Sequence, residues 1–256
     1  MRTTVSMWCY NSLQQYTLSA IIRIKIGLAN METKKGQLYI VSTPIGNLED
    51  ITLRAIRVLK EAGIVAAEDT RHTKHLLNHY QIPTALTSYH DFNKEEKAEI
   101  LIVRMKEGTD VALVSDAGTP GISDPGFFLI KRSIEEGINI VPIPGPTASI
   151  AALSISGLPT DAFVFEGFLP KKKGQKTKKI EALKDDRRTL ILFESPHRIV
   201  KTLLELESIM GDRRAALVRE VTKVYEEVIR GRLSDVKKGL ENKKIRGEIT
   251  LVIEGN

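Results

Sequence analysis

Hydrophobic positions between residues 37 and 143 form short apolar runs separated by longer stretches with helical spacing. The apolar runs predict five strands, at residues 37–42, 64–69, 86–90, 110–115 and 138–143. The stretches between them predict four helices, at residues 53–63, 71–79, 94–106 and 125–136. Strands that alternate with helices over this length predict an α/β fold with a largely parallel sheet.

The second half of the chain has a different pattern. It predicts strands at residues 162–168, 189–195, 215–221, 224–231 and 247–254, and one short helix at residues 233–240. The last three strands lie close together in sequence, which favours antiparallel pairing. A Gly/Pro-containing segment at residues 145–160 predicts a boundary between two α/β domains, which we place at residues 36–146 and 147–256. A low-complexity segment, KKKGQKTKK at residues 171–179, predicts an exposed basic loop.

Residues 1–35 precede the two predicted domains and are interpreted separately. The first thirty residues contain no Asp or Glu, a few basic residues and a short apolar patch at residues 21–26. A targeting peptide is one interpretation, but no small-residue cleavage motif is present. We interpret the segment as an accessory or disordered extension, with Met31 as the natural first residue.

Composition narrows the class of protein. With 42% hydrophobic and 27% charged residues among 256, the chain is typical of a globular protein. The one cysteine excludes an internal disulfide and a cysteine-based zinc cluster, and it favours a cytoplasmic location. No apolar stretch reaches the roughly 18–20 residues that cross a bilayer, so we expect no membrane association. A formal net charge of +6 favours an anionic partner such as RNA.

Three loops rich in glycine and proline follow the first, fourth and fifth predicted strands. They are STPIGNLED at residues 42–50, SDAGTPGISDPG at residues 115–126 and PIPGPTAS at residues 142–149. In an open parallel sheet the loops that follow the strands share one edge, and ligands bind there. Any one of these loops taken singly could be an ordinary turn. Three such loops on one edge of the sheet predict a small-molecule pocket.

The chemistry of these loops favours a ligand with positive charge and hydroxyl groups. The phosphate-binding motifs G-x-G-x-x-G and G-x-x-x-x-G-K-[ST] are both absent. Asp116 and Asp124 suit the sulfonium, ammonium and ribose of S-adenosylmethionine. Turn formation and helix capping remain the alternative role for both residues.

Seven motifs occur in order: LYIVSTPIGNLEDITLRA, AAEDTRHT, VSDAGTPGISDPG, PIPGPTA, FEGFLPKK, FESPHR and LVREVTKVYEEVIRG. Together they closely resemble the family of bacterial ribosomal RNA small-subunit methyltransferase I, from about Leu38 to the C-terminus. The resemblance implies the two-domain fold of the tetrapyrrole methylases, with a largely parallel N-terminal sheet, a mixed C-terminal sheet and the cofactor cleft between them. It also implies a homodimer that transfers a methyl group from S-adenosylmethionine to a cytidine ribose 2′-hydroxyl in the decoding region of 16S rRNA. The substrate would be the naked RNA or the small ribosomal subunit.

The resemblance also assigns roles to residues. Its cofactor-binding candidates are Pro44, Asp116, Gly118, Thr119, Ile122, Ser123, Pro144, Thr147, Ala148, Phe165, Leu217, Glu248 and Thr250. RNA-binding candidates are Arg71, Lys171, Lys172, Lys173, His197 and Arg198. A ribose hydroxyl is a poor nucleophile that needs a base or a hydrogen-bond acceptor, for which the candidates are Glu68, Asp69, Glu220 and Lys223. Members of the family commonly continue into a small helical tail. If that tail helps to bind RNA, we expect the RNA affinity of a chain that stops at Asn256 to be reduced or to be supplied by other residues.

Two alternative functions stay open at this point. A small-molecule methyltransferase acting on a tetrapyrrole would share the fold, although 5% aromatic residues do not suit an apolar macrocycle. A non-enzymatic RNA-binding module would explain the charge but not the three loops. His72, His75 and His79 lie on one side of a predicted helix, but no carboxylates accompany them, so we predict no metal site.

Overall fold

The computed structural model describes residues 35–256, so our interpretation of the N-terminal extension lies outside the described residues. The first half forms a sheet of five strands, with all neighbouring strands parallel, in the order β3-β2-β4-β1-β5. Its strands are β1 (Leu38–Val41), β2 (Ile64–Ala67), β3 (Leu86–Ser88), β4 (Val111–Val114) and β5 (Ile140–Ile143). The helices between them are α1 (Leu53–Glu61), α2 (Thr70–His79), α3 (Lys94–Lys106) and α4 (Gly126–Glu135). The predicted parallel α/β pattern is confirmed.

Helices cover both faces of this sheet. Within β2, Val65 packs with α1 and α2 on one face, whereas its neighbour Ala66 packs with α3 and α4 on the other. Because helices cover both faces, the central strands β1, β2 and β4 are largely buried and form continuous apolar runs rather than alternating ones. Side-chain caps set where two of the helices begin: Thr52 accepts a hydrogen bond from the Ala55 amide, and Asp69 accepts one from the Arg71 amide.

The second half forms a mixed sheet in the order β6-β7-β10-β8-β9. Its strands are β6 (Phe163–Phe168), β7 (Thr189–Glu194), β8 (Arg214–Arg219), β9 (Glu227–Arg232) and β10 (Ile249–Ile253). Strands β6 and β7 are parallel, and every other neighbouring pair is antiparallel. The predicted antiparallel pairing of the last three strands is confirmed.

Four helices accompany the second sheet: α5 (Ala148–Ser156), α6 (Lys173–Leu183), α7 (Ile199–Met210) and α8 (Leu233–Gly239). Helix α5 packs on one face, and α6, α7 and α8 pack on the other. The sequence pattern predicted only α8. Helix α5 lies where we expected a boundary and packs on the second sheet; the division at residues 146 and 147 stays a prediction.

Helix α6 corrects our expectation of an exposed basic loop at residues 171–179. Lys176 is 5% exposed, and its Nζ lies 2.6 Å from Thr202 Oγ1 and 2.9 Å from a Glu205 oxygen, both on α7. A buried ion pair thus occupies a position where an amphipathic helix ordinarily has an apolar residue. A lysine at this position breaks the apolar spacing by which a helix is recognised in a sequence. Because Lys176 is buried, only part of the lysine run is available to a partner.

We expect Lys176→Ala to destabilise the fold by about 3 kcal/mol, because it leaves the Glu205 carboxylate without its buried partner. Lys178→Ala is the matched control, since Lys178 is exposed on the same helix and its replacement should cost less than about 0.5 kcal/mol. Urea denaturation of both variants measures the difference. Equal stability of the two variants would contradict the anchoring role of Lys176.

Candidate active site

The three Gly/Pro loops lie side by side because β4, β1 and β5 are adjacent in the first sheet. Thr43 and Gly118 exchange backbone hydrogen bonds of 2.9 and 3.0 Å, which join the first loop to the second. The Ser42 hydroxyl lies 2.8 Å from the Thr119 hydroxyl, which in turn donates to the Pro146 carbonyl of the third loop at 3.4 Å. The predicted convergence of the three loops is confirmed by these contacts.

The two aspartates of the second loop have different surroundings. Asp124 accepts hydrogen bonds from the amides of Gly121 and Gly126 at 2.5 and 3.1 Å, which shapes the turn and the start of α4. Asp116 accepts one hydrogen bond, at 2.9 Å, from the Asp69 amide at the end of β2. Asp124 therefore has the turn-forming role that we kept as its alternative, although it also lines the cleft described below. Asp116 keeps a carboxylate oxygen for a ligand.

The second domain closes a cleft against these loops. The carboxyl ends of β6 and β7 and the start of β10 share one edge, because Glu194 pairs with Ile249 and Phe168 with Phe193. A cavity of about 420 Å³ lies between this edge and the loops of the first domain. Ligand pockets typically measure about 300–1,000 Å³, so this cleft has the size of a small-molecule site.

Two glycines permit close approach between the domains. Gly167 lies at an irregularity in β6 with a φ of 61°, and a Cβ added there would lie 2.9 Å from the Ser123 hydroxyl. A Cβ added to Gly46 in the first loop would overlap the side chain of Lys223. Larger residues at these two positions would require the side chains of Ser123 and Lys223 to move.

Most of the cofactor-binding candidates line this cleft. They are Asp116, Gly118, Thr119, Ile122, Ser123, Thr147, Ala148, Glu248 and Thr250. Pro44 instead lines a smaller neighbouring pocket, which shares Ser115 and Asp116 with the cleft. The structure therefore brings together ten residues that the sequence had placed in one site.

Three further cofactor candidates do not line the cleft. Pro144 lies exposed in the third loop, outside the lining. Phe165 packs in the core beneath α5, where its ring meets that of Phe193 edge-on. Leu217 is completely buried on the opposite face of the second sheet, in the core shared with α6, α7 and α8. Leu217 is therefore not part of the cleft lining.

Sequence reasoning missed several residues of the lining. The second domain supplies Phe193, Glu194, Ser195, Pro196 and Gly247, and the first supplies Ile45. Phe168 and Ile249 also line the cleft, at the strand ends that the resemblance places against the adenine. The motif FESP lies at the end of an apolar strand, and this position was the available signal.

Glu68 and Asp69 end β2 beside the cleft, but their carboxyl groups differ. Glu68 lines the cavity, and its pKa is raised by partial burial and by the nearby charges of Asp116 and Asp124. Asp69 forms a bidentate contact with Arg71, whose hydrogen bonds hold the pKa of Asp69 well below its usual range. Glu68 is thus free to accept a proton or a hydrogen bond, whereas Asp69 is committed to capping α2.

Glu220, Lys223 and Glu248 form an ion network at the mouth of the cleft. Lys223 Nζ lies 3.0 Å from an oxygen of each glutamate. Partial burial lowers the pKa of Lys223, but its bonds to Glu220 and Glu248 outweigh this effect and leave the pKa raised. Burial raises the pKa of Glu220, but the hydrogen bonds from the Glu248 amide and from Lys223 outweigh this effect, so the pKa of Glu220 is lowered. Both groups are charged partners of each other at neutral pH, which does not suit a general base.

The RNA-binding candidates have separate positions around the cleft. Lys171, Lys172 and Lys173 are exposed just beyond β6, and Arg71 is exposed at the start of α2. His197 is exposed, but its neighbour Arg198 has internal partners. The Arg198 guanidinium pairs with buried Glu194 at 2.9 Å and donates to the Leu169 carbonyl at 2.9 Å. Arg198 therefore holds the loop that follows β7.

Two broader features bear on function. No group of three or more side chains suited to metal binding occurs within residues 35–256, where His72, His75 and His79 are all exposed on α2. In the same part of the chain, no helix is both long enough and apolar enough to span a membrane.

Comparison with known proteins places the chain in a family. Residues 37–237 match the family model described as Tetrapyrrole (Corrin/Porphyrin) Methylases. The chain is 53% identical to a ribosomal RNA small subunit methyltransferase I from Halalkalibacterium halodurans, over 87% of this chain and 77% of that protein. It is 48% identical to a protein of the same name from Bacillus subtilis, over 89% of this chain and 78% of that protein.

A solved structure shares the fold at greater distance. The uroporphyrin-III C-methyltransferase of Thermus thermophilus, crystallised with S-adenosylhomocysteine, is 23% identical, with a TM-score of 0.59 over 85% of this chain and 97% of that one. The predicted resemblance and fold class are both confirmed. The parallel sheet, the mixed sheet and the loops that meet between them are those of a chain that belongs to the tetrapyrrole methylase family.

Proposed function

We propose that this protein methylates ribosomal RNA with S-adenosylmethionine, and that its acceptor is a cytidine ribose 2′-hydroxyl in the decoding region of 16S rRNA. Family membership and the names of relatives that are 53% and 48% identical support the reaction class and the RNA substrate. The cytidine and its 2′-oxygen come from the resemblance of the seven motifs. Assembly as a homodimer is part of the same proposal.

The observation that carries the proposal is the acidic cleft between the domains. S-adenosylmethionine supplies a methyl group on a positively charged sulfur, together with an ammonium group and a ribose diol. Asp116 places a carboxylate on the cleft wall and Glu248, which shares Lys223 with Glu220, adds a second, and both would attract these positive groups. Thr119 and Thr250 add polar groups for the ribose, and Phe168 and Phe193 add apolar surface for the adenine.

Methyl transfer is an in-line displacement, so most of the catalysis comes from holding the hydroxyl, the methyl carbon and the sulfur in line. The hydrogen bonds among the three loops fix one side of this alignment before any ligand binds. Glu68 is the base candidate that the site favours, because its carboxyl lines the cleft and its pKa is raised. Asp69, Glu220 and Lys223 would act as structural ion-pair partners.

The second domain would hold the RNA backbone. Lys171, Lys172 and Lys173 follow the end of β6 beside Phe168, at the rim of the cleft. Lysine contacts to phosphates bind RNA without reading its sequence, so they would position the substrate rather than select the nucleotide. Arg71 would make a similar contact from the first domain.

The proposal is tested by incubating the purified protein with S-adenosylmethionine and small ribosomal subunits from cells that lack the enzyme. We expect 2′-O-methylcytidine at one position of 16S rRNA, mapped by mass spectrometry of nuclease fragments. Naked 16S rRNA, run in parallel, distinguishes the two forms of the substrate. Methylation of a uroporphyrin-type tetrapyrrole in place of RNA would overturn the proposal, as would the absence of stabilisation by S-adenosylmethionine on heating.

A further inference from the structure

A second pocket, of about 120 Å³, adjoins the large cleft. We call it the α2 pocket, since His72, Thr73, His75 and Leu76 of α2 form one wall. Pro44 and Leu48 of the first loop form the opposite wall, and Ser115 and Asp116 are common to the α2 pocket and the cleft. The volume is well below the roughly 300 Å³ at which typical ligand sites begin, so this pocket has room for a fragment of a ligand rather than a whole cofactor.

We infer that the α2 pocket binds the base of the nucleotide to be methylated, whose sugar would lie where the pocket meets the cleft at Asp116. This inference rests on the proposed function, because it assumes an RNA acceptor and a methyl donor in the large cleft. An in-line displacement brings the acceptor oxygen towards the methyl carbon on the side opposite the sulfur. The acceptor must therefore enter from a space next to the donor, and the α2 pocket is joined to the cleft at Asp116.

The lining of the α2 pocket suits a nucleoside. His72 and His75 are three residues apart on α2 and therefore lie on the same side of the helix. An imidazole ring stacks on a nucleobase and also offers one hydrogen-bond donor and one acceptor. The hydroxyl oxygens of Thr43 and Ser115, which donate to the Ser115 and Ala117 carbonyls, keep acceptor capacity for a ribose hydroxyl, and Thr73 adds a third hydroxyl.

The pocket is also rigid and accessible to RNA. The Asp69 carboxylate caps α2, while the Asp69 amide donates to Asp116, so the helix start is fixed to the wall shared with the cleft. Arg71 lies next to His72 with a side chain that is 89% exposed. An arginine in this position would contact the phosphate of a nucleotide whose base enters the pocket.

The test compares three single variants of the same helix: His72→Ala, His75→Ala and, as the matched control, His79→Ala. His79 is exposed on α2 but lies outside the pocket, against Tyr80. All three variants should fold, since all three side chains are exposed. We expect His72→Ala and His75→Ala each to lower kcat/KM for small ribosomal subunits about ten-fold, with no change in the Kd of S-adenosylmethionine.

The outcomes separate this inference from the proposed function. If the unaltered protein methylates RNA and the first two variants behave like His79→Ala, the inference is wrong and the proposed function stands. If those variants weaken S-adenosylmethionine binding as much as they lower RNA methylation, the pocket belongs to the cofactor and the inference is also wrong. If the unaltered protein methylates no RNA, the proposed function itself fails.

Discussion

Asp116→Ala should abolish measurable binding of S-adenosylmethionine while the protein stays folded. Asp116 lies on the wall of the cleft and spends one carboxylate oxygen on the Asp69 amide, which leaves the other for a positively charged or hydroxylated ligand. Hydrogen bonds to charged groups in such sites are worth about 1.5–3 kcal/mol, and the lost charge adds to this. We therefore expect the affinity to fall by about 100-fold or more, measured by isothermal titration calorimetry.

The stability of the same variant separates binding from folding. One hydrogen bond contributes about 1 kcal/mol, which shifts the melting temperature of a chain of this size by about 2–4 °C. Asp116→Asn is the matched control, because its amide oxygen still accepts from Asp69 while the negative charge is removed. We expect Asp116→Asn to melt like the unaltered protein and to bind S-adenosylmethionine weakly. Unchanged affinity in Asp116→Ala would remove this residue from the cofactor site.

The first domain was largely predictable because its strands and helices are recognisable from short stretches of sequence. Its three central strands are largely buried on both faces, so each one appears in the sequence as a continuous apolar run such as VALV before Ser115. Because the strands are parallel, every loop that follows a strand lies at the same edge. Adjacency of β4, β1 and β5 did not follow from sequence alone, but it is what brings the three loops into contact.

The second domain was less predictable because the burial of its side chains depends on strand register and on contacts with other elements. Leu217 and Phe165 belong to strands, but which face each residue occupies depends on strand register, and a shift of one residue reverses the face. Arg198 carries a charge that suggested an RNA contact, yet buried Glu194 satisfies it. Lys176 is buried by Thr202 and Glu205 on α7, which is 26 or more residues away in sequence. The Lys176 pairing carries no local signal, and the pairing of Arg198 with Glu194, although only four residues apart, depends on the burial of Glu194 in the second sheet.

Glu68→Gln should reduce the rate of RNA methylation by about 100-fold or more, which is within the usual range for loss of a general base. The change is nearly isosteric, so the lining of the cleft and the affinity for S-adenosylmethionine should be preserved. For the unaltered protein, kcat should fall as the pH drops through the raised pKa of Glu68, since the protonated carboxyl no longer accepts the hydroxyl proton. The pH profile of Glu68→Gln should lack this decrease. An unchanged rate and profile would exclude Glu68 as the base.

The stability of two neighbouring variants gives an independent check on the environment of Glu68. Burial and the charges of Asp116 and Asp124 raise the pKa of Glu68 in the folded protein above its value in the unfolded chain. The contribution of Glu68 to stability is therefore present at low pH and is lost as the pH rises through the folded pKa. At neutral pH the ionised carboxylate opposes folding, and Glu68→Gln should melt at the same temperature or higher. Asp69 has the opposite sign: Arg71 lowers its folded pKa, so its stabilisation is present at neutral pH and lost as the pH falls. Asp69→Asn should therefore melt lower at pH 7, with a smaller loss of kcat. Glu68→Gln should thus stabilise the fold and destroy activity, whereas Asp69→Asn should destabilise the fold and largely spare activity. This is the pattern expected when Glu68 acts on the substrate and Asp69 caps the helix.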